Sequence, residues 1–246
     1  MNRRTACAAV ALVALSAQAQ VPRLDELMRG LGNLPRQPAA QPGRGAPDEQ
    51  TSAAGIKEAL AVGTENAVRS LSQVDGYFGN QAVRILMPPS IQKIADLARM
   101  AGFQQPVDDF VLRMNRAAEA AVPVAARHFG DAIRDMTLDD ARGILAGGDT
   151  AATDFFRRRT HDKLYAAFRP IVSQKVSEAG ATRAYKDLIG RYEGVALLGG
   201  QSLDLDDHVS NKALDGVYYM VAQEEKRIRT NPLARTTDLL KTVFGR

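Results

Sequence analysis

The chain has 246 residues, a formal charge of +4, one cysteine and no tryptophan. Its acidic and basic residues are interspersed, which argues against a dedicated nucleic-acid surface, because that needs clustered basic residues; even Arg157-Arg158-Arg159 points in different directions around a helix. A single cysteine excludes an internal disulfide and a multi-thiolate zinc site.

At the N-terminus, Arg3 and Arg4 precede an uncharged apolar run from Ala6 to Ser16, and Ala17-Gln18-Ala19 offers small residues around a cut before Gln20. This pattern predicts a cleavable secretory signal over 1–19 and a periplasmic protein. The run is shorter than the roughly 20 residues of a spanning helix. Cys7 lies inside it, whereas a lipidated cysteine would follow it. Cleavage removes Arg3, Arg4 and Cys7, so the mature chain is thiol-free and its formal charge falls from +4 to +2. Residues 20–32 carry Leu24, Leu27, Met28 and Leu31 at helical spacing, and 33–54 are rich in Pro, Gly, Gln, Ala and Ser. The segment 20–54 is therefore expected to be a short amphipathic helix followed by a disordered linker.

From Gly55 onward helical periodicity dominates. Ile56, Leu60, Val68 and Leu71 predict a helix over 55–73, and residues 75–80 read as turns. Val83 to Met87 is a short extended piece ending at Pro88-Pro89. It reads as a lone strand or an extended strap, with no partner strand evident. A helix over 90–101 follows the proline pair. Val107, Phe110, Val111, Met114, Ala118 and Val122 mark another, kinked or restarted at Pro123 and reaching Met136. Thr137-Leu138-Asp139-Asp140 predicts a cap opening a short helix to Leu145. Gly147-Gly148 ends it, and Asp149 or Thr150 caps a long helix to Glu178, bent near Pro170. A helix over 182–197 and a loop at Gly199-Gly200 come next. Asp204 or Asp206 caps a long helix to Arg229, and Asn231-Pro232 starts a final helix to Phe244. Few aromatics and abundant alanine suit close helix packing. The expected fold is all-α: a single multi-helix, bundle-like domain over 55–246.

No catalytic motif stands out. His128, His161 and His208 share no helix at metal-binding spacing, so no metal site and no cofactor is expected. Glycines at 147–148 before a helix could bare amides to an anion, but the same residues serve to end one helix and cap the next. Asn115 and Glu119 share a helix face beside Arg116. In the last long helix, the stripe Leu205, Val209, Ala213, Val217, Val221 reaches Glu224 before Ile228. A carboxylate on a core stripe must be paired or must raise its pKa; Arg229, Arg235, Arg116 and Arg158 are the available partners. These residues form either a structural ion-pair network or a polar pocket for a small ligand.

Several long blocks carry a resemblance. They are Gly55-Ile56-Lys57-Glu58-Ala59-Leu60, Met114-Asn115-Arg116-Ala117-Ala118-Glu119-Ala120-Ala121, the stretch Gly147 to Asp154, Lys212-Ala213-Leu214-Asp215-Gly216, and Asn231-Pro232 with Ala234 to Leu240. Through them the chain resembles the proteobacterial domain of unknown function 4197 family over about 55–246. The resemblance implies an exported helical protein and carries over no activity and no functional residue.

Two classes of function remain. The preferred one is a non-catalytic periplasmic module that binds an envelope protein or a small ligand, with Asn115, Arg116, Glu119, Asp154, Glu224, Arg235 and Asp238 as candidate ligand-binding residues. A shared pocket requires the helices carrying Asn115/Glu119 and Glu224/Arg235 to present these groups to each other. The alternative is a carboxylate hydrolase, which requires Glu119, Asp154, Glu224 or Asp238 to converge on a wet cleft. Membrane contact is expected to be peripheral at most, through 20–32 and the C-terminal stripe Leu239, Leu240, Val243, Phe244.

Overall fold

The Asp48 carboxylate accepts the Thr51 amide at 2.8 Å, and a capped helix opens there: α1, Glu49–Leu71. The helix therefore begins ahead of Gly55, and residues 49–54, expected in the linker, are its first turns. A side-chain acceptor at the cap satisfies an otherwise orphaned amide, and Ala53 is already buried. This computed structural model describes residues 48–178, 180, 183, 204–235 and 237–244. The expectations for the signal over 1–19, the helix over 20–32 and the linker up to residue 47 fall outside the described residues. So do the helix over 182–197, apart from Arg183, and the loop at Gly199-Gly200.

Turns between residues 72 and 83 lead into an uncoiled segment, 84–88, that ends at α2, Pro89–Met100. Then come α3, Gln104–Ala121, and α4, Ala125–Arg134, joined by a 3-10 turn, Val122–Val124. Pro123 lacks an amide hydrogen and sits in that turn, where the helix restarts as the sequence predicts. Thr137 and Asp140 bond each other's amides at 3.1 and 3.0 Å. That reciprocal cap opens α5, Leu138–Ala146. Next are α6, Ala151–Glu178, with Pro170 inside it, and α7, Leu205–Thr230. Of the two candidate caps for α7, Asp204 is the one used: it accepts the Asp207 amide at 2.8 Å. The expected final helix is two elements. Asn231 accepts the Leu233 amide at 3.0 Å in a 3-10 turn, Pro232–Ala234, and α8 spans Asp238–Phe244.

The described residues form an all-α domain with no strand. The long helices α1, α6 and α7 make its centre: α7 packs on α6, α1 and α3, while α4 and α5 lie against α1 and α6. Phe129 of α4, Phe156 of α6 and Tyr218 of α7 meet there, with ring centroids 5.2 and 6.1 Å apart. Edge and tilted contacts of this kind add to burial. The C-terminal stripe is covered by its own domain, since Leu240 and Val243 of α8 are buried and α8 packs on α1. No helix among the described residues is long and apolar enough to cross a membrane.

Candidate functional site

The segment between the turns and α2 behaves as an extended strap. Burial alternates along it, with Val83, Ile85 and Met87 inside and Leu86 exposed. It has no partner strand among the described residues. One of its edges is held by a side chain: Asn115 of α3, fully buried, accepts the Ile85 amide at 2.8 Å and donates to the Ile85 carbonyl at 2.9 Å. A primary amide has the donor and acceptor geometry of a peptide group, so a single Asn closes that edge of the strap. The second Asn115 hydrogen goes to the Val111 carbonyl at 2.7 Å.

One turn on, Glu119 binds the turn that precedes the strap. Its Oε1 accepts the Tyr77 and Phe78 amides at 3.1 and 3.2 Å. Its Oε2 accepts Arg116 at 2.7 Å, and Arg116 also holds Asp75 at 2.7 Å. Asp75 has a φ of 67°, a left-handed conformation that Asp tolerates better than most residues. Tyr77 is fully buried, and its hydroxyl donates to the Ala213 carbonyl of α7 at 2.7 Å. Burial first, then the charges of Glu119 and Asp215, push the Tyr77 phenol well above its ordinary range. It stays protonated, as donation to a carbonyl requires.

The buried carboxylate of α7 is Glu225 and not Glu224. From Val221 the apolar stripe can step by three or by four, and the four-step places Glu225 inside. Glu225 accepts the amides of Ala152 and Thr153 at 3.0 and 2.9 Å and the Thr153 hydroxyl at 2.9 Å. Arg229 completes its shell with two bonds at 3.0 and 2.9 Å, and also donates to the Ile144 carbonyl at 2.9 Å. The cap of α6 therefore comes from another helix, in place of Asp149 or Thr150, both exposed. The amides behind Gly147-Gly148 do face an anion, and that anion is the carboxylate of Glu225.

The remaining candidates stand apart. Glu224 takes a bond from Asn66 at 3.1 Å and from Arg227 at 2.8 Å. Arg235 donates to the carbonyls of Ile228 and Arg229 at 3.1 and 2.9 Å, closing the C-terminus of α7. Asp154 is exposed and accepts the Thr150 hydroxyl, and Asp238 is exposed beside Lys241. Arg158 is exposed. Asn115, Arg116 and Glu119 are thus brought together, but Glu224 and Arg235 share no partner with them. Ala213, which Tyr77 reaches, and Glu224 lie about 16 Å apart along the α7 axis at about 1.5 Å per residue. Among the described residues, no three His, Cys, Asp or Glu side chains gather as a metal site.

What the network builds is a cleft. The strap lies against α7 in the opposite direction: Asn80 reaches the Met220 sulfur at 3.8 Å, and Leu86 meets His208. Since the Leu86 carbonyl can only accept, the His208 Nε2 carries the hydrogen of that 3.2 Å bond. Burial holds the His208 imidazole below its ordinary range. Between strap and helix runs an open cleft of 490 Å³, walled by Arg84, Leu86 and Met87 on one side and by Lys212, Gly216 and Tyr219 on the other. A Cβ on Gly216 would come within 2.6 Å of the Tyr77 ring; glycine there lets the strap's anchor reach α7. Arg84, Leu86, His208 and Tyr219 are absent from the sequence-derived candidates. The signal was present in the period-two pattern before Pro88-Pro89, but its neighbour, α7, lies more than a hundred residues away in the chain.

These features define an all-helical domain whose buried polar residues bind its own backbone and whose strap and long helix enclose an open cleft. The chain belongs to the family described as protein of unknown function, DUF4197, whose model matches residues 46–245. The match includes the start of α1 as well as the blocks from Gly55 onward. No curated protein and no solved structure matches the chain.

Proposed function

We propose that the chain is an exported, non-catalytic binding module, and that it recognises an envelope protein or a small ligand through the cleft between the strap and α7. One contrast carries the reading. Asn115, Glu119 and Glu225 spend their hydrogen bonds on the fold, whereas Leu86 and Tyr219 stand 63% and 42% exposed at the cleft. The cleft volume lies within the roughly 300–1,000 Å³ of ordinary ligand sites, and exposed apolar side chains around such a space favour contact over chemistry. A hydrolase needs two acids at one wet point; Glu119, Asp154, Glu224 and Asp238 each have separate partners, so no observation favours that alternative.

The test is site-specific photo-crosslinking in cells, with a photoreactive residue at position 86 or 219 and a control at Leu233, which is 90% exposed. The expected result is a discrete adduct from 86 and 219, absent at 233 and lost when Lys212→Glu reverses the charge of the cleft. Equal adducts at all three positions, or none, would overturn the reading. N-terminal sequencing of the mature protein checks the export proposal, with Gln20 as the expected first residue.

A further inference from the structure

We infer that the cleft takes an extended, acidic peptide segment of a partner protein, paired as a parallel strand with the strap; this rests on the cleft being the recognition surface. In an extended chain, the peptide groups of alternate residues face opposite edges. The Ile85 edge is closed by Asn115. Arg84 and Leu86 therefore face the other edge, and the bond from His208 to the Leu86 carbonyl shows that this edge looks toward α7.

Two groups on it carry no hydrogen bond among the described residues, the Arg84 carbonyl and the Leu86 amide. They flank Ile85. A parallel strand engages its neighbour through such a pair: the N–H of one peptide residue reaches the first group and its C=O the second. Exposed strand edges are templates for added strands, and grooves beside them read the side chains.

Length sets the size of the segment. The uncoiled run from Arg84 to Pro88 extends about 16 Å at about 3.3 Å per residue, so an added segment of about five residues spans it. Charge selects its chemistry. The Arg84 guanidinium stacks 4.3 Å over the Phe78 ring and has no carboxylate partner among the described residues. Asp215, the acid of the cleft, is shared between Lys212 at 3.4 Å and Arg157 at 3.3 Å. The cleft therefore keeps an excess of positive charge, which favours a carboxylate-bearing segment. Leu86 and Tyr219 offer the contact for its apolar residues.

The experiment uses the isotope-labelled full chain and a capped hexapeptide alternating valine and aspartate. The expected result is a shift of the Leu86 amide resonance and its protection from hydrogen exchange. Affinity should fall about tenfold when alternate peptide amides are N-methylated, one lost backbone bond in a dry groove, and by a similar factor in Arg84→Gln. Replacing aspartate by lysine in the peptide should also weaken binding. An N-methylated peptide that binds equally well while moving Leu86 or Tyr219 signals would overturn strand pairing and leave the cleft as the recognition surface. No shift at Leu86 with any peptide would overturn the pairing, whereas the crosslinks at 86 and 219 report separately on the cleft itself. Protection of Leu86 that rises with protein concentration alone would assign the edge to a second copy and also overturn the proposal.

Discussion

Asn115 does for the strap what a neighbouring strand does in a sheet. Both Ile85 backbone groups depend on it, and Ile85 is buried. Asn115→Ala should therefore destabilise the domain by about 3 kcal/mol, from two buried backbone groups left unpaired, as measured by urea denaturation; a loss below about 0.5 kcal/mol would deny it that role. Glu225 has a comparable position at α6. Glu225→Ala strands Arg229, whose side chain is 14% exposed, and uncaps a helix, so a loss of about 3–5 kcal/mol is expected. The adjacent Glu224→Ala should cost about 1 kcal/mol, because its ion-pair partner Arg227 is half exposed and returns to water. Equal losses from the two would contradict the division between the buried and the half-buried carboxylate.

Elements join through close approaches that only small residues allow. On α1, a Cβ at Gly55 would overlap the Val243 side chain of α8. The short helix α8 is held by buried Leu240 and Val243, with Phe244 packed beside them. Gly55→Ala should lift α8 from α1. Amide exchange over 238–244 would then rise sharply while that of α6 stays near its original value. Pairing it with Val243→Ala removes the overlapping methyl groups and should restore much of the protection. If the double variant exchanges as fast as the single one, the overlap is not the cause.

At the scale of the whole molecule, acid sensitivity follows from two histidines. Burial lowers the pKa of His208 and of His128 below 6.5. The unfolded chain thus takes up protons first as the pH falls. Stability is full above 6.5 and declines from there toward the folded-state values. Thermal melts should shift to lower temperature between about pH 7.5 and about pH 5. His208→Gln keeps a donor for the Leu86 carbonyl without the titration, and it should flatten that slope. An unchanged slope would remove His208 from this account.

Much of the helical order was readable locally, because caps and breakers act over three or four residues. Thr137 with Asp140, Pro123, Asp204 and Gly147 mark their boundaries with nearby atoms. The all-α class follows from the same periodicity. The charged residues on core-facing stripes were also visible, since a carboxylate in an apolar pattern stands out. What they bind was not. A stripe stepping by three or four cannot choose between Glu224 and Glu225; the choice falls to the bare amides of Ala152 and Thr153, which arrive from another helix. The sequence by itself thus determined that this is a helical protein with polar groups to be satisfied inside it. Only the tertiary structure decided that Asn115 and Glu225 satisfy backbone, and that the open cleft lies between a five-residue strap and α7. The physical reason is that hydrogen-bond partners distant in the chain are set by packing, which local spacing does not encode.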